Sequence, residues 1–208
     1  MRRVLILTII ALLATACGGR QVTRVLPLNE AADAPYDNVL VISLFSSFDR
    51  RRIFERAIVD ELSKRGIRAV PSTSKMTTRT PLSRDTFVAM VRELGSDAVL
   101  VTQIVDAETS GKVKTMRPEA TYNFSPTRYF NVWNVDYTEY REPPGIESRS
   151  TLLLATQMFS ARTQEPVWII ETTTTVKRDI ADPFDFSLII DEAQAIAREL
   201  ERDGLVGR

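Results

Sequence analysis

Between Asn38 and Val105 the chain alternates between short runs suited to a buried strand and stretches with helical spacing, and few architectures accept that order. Asn38 to Phe45 (NVLVISLF) is continuous, apolar and β-branched, as a strand covered on both faces requires. Ser46-Ser47 offers a helix cap, Ile53, Phe54, Ala57, Ile58 and Leu62 recur at helical spacing, and Gly66 follows as a stop. Ile67 to Val70 is a second short strand, closed by Pro71, and a Ser/Thr-rich loop runs from there to Pro81. A second helix opens at Ser83, with Phe87, Val88, Val91 and Leu94 on one face, and stops at Gly95. Ala98 to Val105 (AVLVTQIV) is the third strand. Such a βαβαβ succession predicts parallel strands joined by right-handed crossovers.

The second half changes character. Ser148 to Ser160 and Val167 to Val176 read as two antiparallel strands around the turn Ala161 to Pro166, and alternation places Thr172 and Thr174 outward. A final helix from about Pro183 to Arg202 carries Phe186, Ile189, Ile190, Ala193, Ile196, Ala197 and Leu200 inward, with Gly204 as its stop. The expected fold is α/β: one mixed-sheet domain over residues 38–208, in the order βαβαβ(insertion)ββα, with helices packed on the sheet and an insertion at 118–147. One hydrophobic core can serve a chain of 208 residues.

Composition removes several function classes. Histidine is absent, and with it the commonest general base near neutral pH, the usual metal-ligating imidazole and every triad built on histidine. A single cysteine rules out an internal disulfide, a CxxC pair and a cysteine-type zinc site, so no metal or cofactor is expected. Lys plus Arg equals Asp plus Glu at 27 each, which gives no basic footprint for nucleic acid. The densest basic cluster, Arg50-Arg51-Arg52, is soon offset by Glu55 and reads as a solvated helix face. Neither GxGxxG nor GxxxxGK[ST] follows any strand, and GxSxG is missing.

The N-terminus is informative. Arg2-Arg3 precede an apolar stretch from Val4 to Leu13, too short for a bilayer span of about 20 residues, and Ala14-Thr15-Ala16 lead to Cys17. The pattern resembles the bacterial lipobox, although the third place before the cysteine holds Ala14 and Leu13 lies one residue earlier. That resemblance implies a signal peptide over residues 1–16, cleavage before Cys17, diacylglyceryl and acyl (palmitate) modification there, and a protein held on a lipid bilayer. Without Arg2 and Arg3 the count is 25 basic against 27 acidic residues, a formal charge of −2. Gly18, where an aspartate would resemble an inner-membrane retention signal, favours a periplasm-facing place on the outer membrane. Residues 17–37 show no period of 2 or 3.6 and read as a flexible tether that lets the domain stand off the bilayer.

The order of elements, with the hairpin TQEPVWIIETT and a C-terminal helix, resembles over residues 38–203 the periplasmic domain shared by the curli-secretion lipoprotein, the outer-membrane activator of a penicillin-binding protein and the Tol N-terminal domain. It implies a non-enzymatic binding or assembly factor of the cell envelope, with an envelope protein or a second copy as partner. The candidate contact is the aromatic stretch from Tyr122 to Tyr140, with Tyr122, Tyr129, Phe130, Trp133 and Tyr137 as binding residues; the other role open to it is to cap the sheet or a helix end. The competing function is a carboxylate-dependent hydrolase of cell-wall material. Its acids would be Asp106 with Glu108, or Asp182 with Asp185, the latter pair reading more simply as helix-cap residues.

Overall fold

The computed structural model describes residues 21–29, 31, 33–109, 112–114, 131–133, 149–177 and 186–207. Its elements are β1 (Gln21–Pro27), β2 (Asn38–Ser43), α1 (Phe48–Ser63), β3 (Arg68–Pro71), α2 (Arg84–Leu94), β4 (Ala98–Thr109), β5 (Lys112–Lys114), β6 (Arg149–Ser160), β7 (Pro166–Lys177) and α3 (Phe186–Arg202). The fold is α/β, one open mixed sheet in the order β1-β7-β6-β4-β2-β3, with β5 paired to the far end of β4. β2 lies parallel to both β3 and β4, and the remaining pairs are antiparallel.

That strand order explains the two layers. The chain steps from β2 to β3 in one direction and back across β2 to β4 in the other, so the two crossover helices fall on opposite faces. On one face Phe54, Ile58 and Leu62 of α1 and Ala193, Ile196, Ala197 and Leu200 of α3 pack on Val39, Val41, Leu100, Leu154, Met158, Trp168 and Ile170. On the other, Phe87, Met90 and Val91 of α2 pack on Leu40, Ile42, Val99, Val101 and Phe159. Strands clothed on both faces must be apolar at successive positions, which is why NVLVIS is unbroken.

The helix boundaries follow local chemistry. Ser47 Oγ accepts from Arg50 N at the start of α1, and Ser83 Oγ accepts from Thr86 N at the start of α2. Gly95 ends α2 with φ of +60°, where its N–H reaches back into the last turn.

Three expectations are corrected. Residues 17–37 are not a tether throughout, because Gln21–Pro27 form an edge strand antiparallel to β7. The register shifts between Val22 and Arg24, a bulge that sets Val22 and Val25 on the same helix-bearing face although they stand three apart, while Leu26 and Leu28 pack on the opposite side. Residues 33–37 are held as well. Ser160 Oγ and Arg162 Nε donate to Asp33 at 2.9 and 2.6 Å, and Tyr36 is buried with its N–H donating to the Leu205 carbonyl at 2.8 Å. The Asp37 and Asn38 amides both donate to the Asp97 carboxylate. Second, Thr172 and Thr174 do not face solvent: both are buried on the α3 side, and Thr172 Oγ1 donates to Glu192 Oε1 at 2.5 Å. Third, Arg50-Arg51-Arg52 and Glu55 are not one solvated face, since Arg51 and Glu55 lie on the inward stripe of α1.

Candidate functional site

In open α/β sheets ligands settle at the carboxyl ends of parallel strands, where the crossover reverses. In this chain that place is filled from within. Glu55 projects from α1 between the end of β2 and the 3-10 turn Ser72–Ser74 that follows β3, and its solvent exposure is 0 %. Oε1 accepts from Ser43 N at 2.9 Å, Ser43 Oγ at 3.1 Å and Ser72 Oγ at 2.9 Å. Oε2 accepts from Thr73 N at 2.8 Å and Thr73 Oγ1 at 2.9 Å. Two backbone amides and three hydroxyls thus form an anion cradle whose occupant is the chain's own carboxylate. Burial pushes the Glu55 carboxyl above its ordinary range, and the donors from Thr73, Ser43 and Ser72 oppose that shift.

The polar row continues across the sheet. Ser43 is registered with Thr102 and Thr102 with Thr156, and the two threonine hydroxyls lie 2.8 Å apart, fully buried. Arg51, one turn before Glu55, is buried with its guanidinium 5.2 Å from the centre of the Phe48 ring. Sequence reading missed Glu55 as a structural group and weighed it only as a counter-charge. The signal was present: position 55 falls between Phe54 and Ile58 on the apolar stripe, and the loop after Pro71 is rich in hydroxyls.

Of the aromatic residues nominated for binding, Trp133 falls within the described residues, and Tyr122, Tyr129, Phe130 and Tyr137 lie outside them. Trp133 is 2 % exposed and packs with Val132 in the α2 layer, beside the cluster of Phe87, Met90 and Leu40. Arg84 Nε, in the first turn of α2, donates to the Trp133 carbonyl, and Trp133 N donates to Asn131 Oδ1 at 3.0 Å. The Trp133 ring therefore belongs to the buried α2 layer. Cys17, the lipidation candidate, also lies outside the described residues.

Asp106 and Glu108 stand two apart on β4, registered with Leu153 and Thr151, and Asp182 and Asp185 lie outside the described residues. Among the described residues no group of three or more acids, histidines or cysteines is placed to hold a metal ion, and no helix is long and apolar enough to cross a membrane. A shallow concavity on the outside of α1 is lined by Arg52, Ile53, Arg56, Ala57 and Asp60.

No protein-family model matches the chain, and no curated protein shows significant similarity to it. Among solved structures, a point variant of the PelC dodecamer from Paraburkholderia phytofirmans is similar at 16 % identity and a TM-score of 0.43, over 89 % of this chain and 99 % of that one. The PelC dodecamer from the same organism in another crystal form gives 15 % and 0.42 over the same shares. Lipoprotein GNA1162 from Neisseria meningitidis gives 12 % and 0.37, over 79 % of this chain and 98 % of that one. Likeness at this level assigns this chain neither an assembly nor an activity.

Proposed function

We propose that this chain is a lipoprotein of the bacterial envelope, acylated at Cys17 on the periplasmic side of the outer membrane, whose α/β domain works as a binding or assembly factor and not as an enzyme. The observation that carries the reading is the position of the only cysteine, directly after a basic, apolar and small-residue stretch that resembles a lipobox. The domain's own chemistry supports it. The carboxylate nearest the usual ligand crevice is enclosed and accepts five hydrogen bonds from its own chain, a state suited to holding strands together and not to proton transfer with a substrate. Several acyl chains at Cys17 supply a stable anchor, since each buried methylene contributes ~0.8 kcal/mol.

The test is metabolic labelling with a palmitate analogue in cells making the wild-type chain or Cys17→Ala. Label on the wild type alone, together with release of Cys17→Ala from the outer-membrane fraction, is the expected outcome. Wild-type protein that carries no label would end the lipoprotein reading. Turnover of purified cell-wall fragments by the wild type, abolished by Asp106→Asn or Glu108→Gln, would replace the binding reading with the hydrolase.

A further inference from the structure

The inward stripe of α1 buries the charged side chains of Arg51, Glu55 and Glu61. The two acids are matched: Glu55 accepts from Ser43, Ser72 and Thr73, and Glu61 accepts from Lys64 and Arg65. Arg51 is not. It is 8 % exposed, its Nε is enclosed without a hydrogen-bond partner, and its guanidinium forms no ion pair among the described residues. Asp49, two residues earlier, is paired with Arg52 at 3.0 Å on the exposed side of the helix. An arginine cannot escape burial by shedding its charge, and the Phe48 ring, 5.2 Å from the guanidinium, returns only part of the hydration given up. A cation in this state calls for an anion.

Its position indicates which anion. Side chains of a helix lean toward the N-terminus, and Phe48, whose ring the guanidinium meets, is the first residue of α1, so the buried charge stands at the first turn. There Arg50 N donates to Ser47 Oγ and Arg51 N to the Ser47 carbonyl, while the Phe48 and Asp49 amides have no intrahelical acceptor. Those amides and the helix dipole favour negative charge at the same place as the guanidinium. The turn follows β2, at the carboxyl end of a parallel strand, where Glu55 has taken the neighbouring hydroxyls and left Arg51 unmatched. We propose that the first turn of α1 is a binding site for a carboxylate, held by the Nε edge of Arg51 and the Phe48 and Asp49 amides. Nε is one prong of the fork that grips both oxygens of such a group. Arg50 and Arg52 are engaged elsewhere, so the turn offers one positive charge, and a singly charged group is its match. The site is independent of acylation at Cys17.

The full chain, labelled with ¹⁵N and held in non-ionic detergent at neutral pH, is titrated with sodium acetate against sodium chloride of equal ionic strength. Acetate is expected to move the Arg51 Nε–H and the Phe48 and Asp49 amide resonances along one saturating curve, and chloride is not. At a tenfold excess over its Kd acetate is expected to raise Tm by roughly 3–6 °C. Arg51→Met replaces the unmatched charge by an apolar chain. It is expected to unfold at a higher temperature than wild type in the absence of acetate, and to gain nothing when acetate is added. Arg51→Lys keeps the charge and loses the fork, so acetate should bind it about tenfold more weakly. Resonance shifts that do not saturate in the wild type, or an acetate-dependent rise in Tm that persists in Arg51→Met, would overturn the proposal. So would an Arg51→Met chain less stable than wild type without acetate, because the guanidinium would then already have its counter-charge within the fold. Inorganic phosphate in its doubly charged form is expected to bind more weakly than acetate; tighter binding would overturn the assignment to a carboxylate.

Discussion

Glu55 shows how one side chain can serve three elements at once. Its carboxylate holds the last residue of β2 and the first two residues after β3 to the second turn of α1. Glu55→Ala would leave the Ser43 and Thr73 amides buried without an acceptor, and each such orphan costs about 1–3 kcal/mol. A loss of about 3 kcal/mol or more is expected from the shift in urea midpoint; a loss below about 1 kcal/mol would mean that water replaces the carboxylate. Glu55→Gln separates charge from shape. The folded carboxyl has its pKa raised by burial above the ordinary 4.5, so between 4.5 and that raised value the native chain holds a proton that the unfolded chain has released. Wild-type stability accordingly falls as pH rises through that window and levels off once the folded carboxyl has ionised. The Gln variant lacks this slope. It is expected to be less stable than wild type, because an amide N–H₂ meets N–H and O–H donors, with a deficit that is largest near pH 4 and narrows toward neutrality. A deficit that does not change with pH would show that Glu55 does not titrate in that window.

At the scale of elements, the parts legible from sequence are those where pattern and environment agree. Strands covered on both faces read as unbroken apolar runs, and α1 and α2 announce themselves by serine caps and a stop glycine. β1 was illegible for a physical reason. Its bulge at Thr23 breaks the period of two, so that Val22 and Val25 share a face at a spacing of three and the segment looks irregular. Thr172 and Thr174 misled in the opposite sense: hydroxyls in alternation look outward, yet Thr172 is matched to a buried glutamate on α3 that only tertiary structure brings to it. Glu55 was hidden likewise, because an acid among apolar residues of a helix is usually solvated, and its donors come from β2 and from the turn after β3. The role of β1 can be measured. A chain beginning at Asn38, where the pattern becomes regular, leaves β7 as an unpaired edge and removes buried Tyr36. It is expected to unfold at a lower temperature and to scatter light at micromolar concentration, whereas a chain beginning at Gln21 unfolds like the mature protein. Equal behaviour of the two would show that β1 adds nothing to the fold.

For the whole molecule, the issue is whether two cores on opposite faces of one sheet behave as one unit. The chain has two tryptophans, and the fold puts one in each layer: Trp168 beneath α1 and α3, where its Nε1 donates to Asp203 Oδ2 at 2.8 Å, and Trp133 beneath α2. β2 and β4 contribute alternate residues to both layers, Val39, Val41 and Leu100 to one and Leu40, Ile42 and Val99 to the other, so neither core can dissolve while the other keeps its strands. Trp133→Phe is the milder replacement, since the Trp133 Nε1 meets no hydrogen-bond partner among the described residues, and it leaves Trp168 as the only tryptophan. Trp168→Phe leaves Trp133 and gives up the bond to Asp203. Each single-tryptophan chain is expected to unfold in one cooperative step in which fluorescence and far-ultraviolet circular dichroism coincide, because a sheet shared by both layers couples them. Trp133→Ala should lower stability by about 3–5 kcal/mol, as loss of a buried aromatic ring does. Its unfolding should remain a single step read by Trp168 across the sheet. If the Trp133 signal were lost at lower denaturant than circular dichroism and Trp168, the α2 layer would be a separately opening unit, and the strands between the layers would not carry the coupling argued for them.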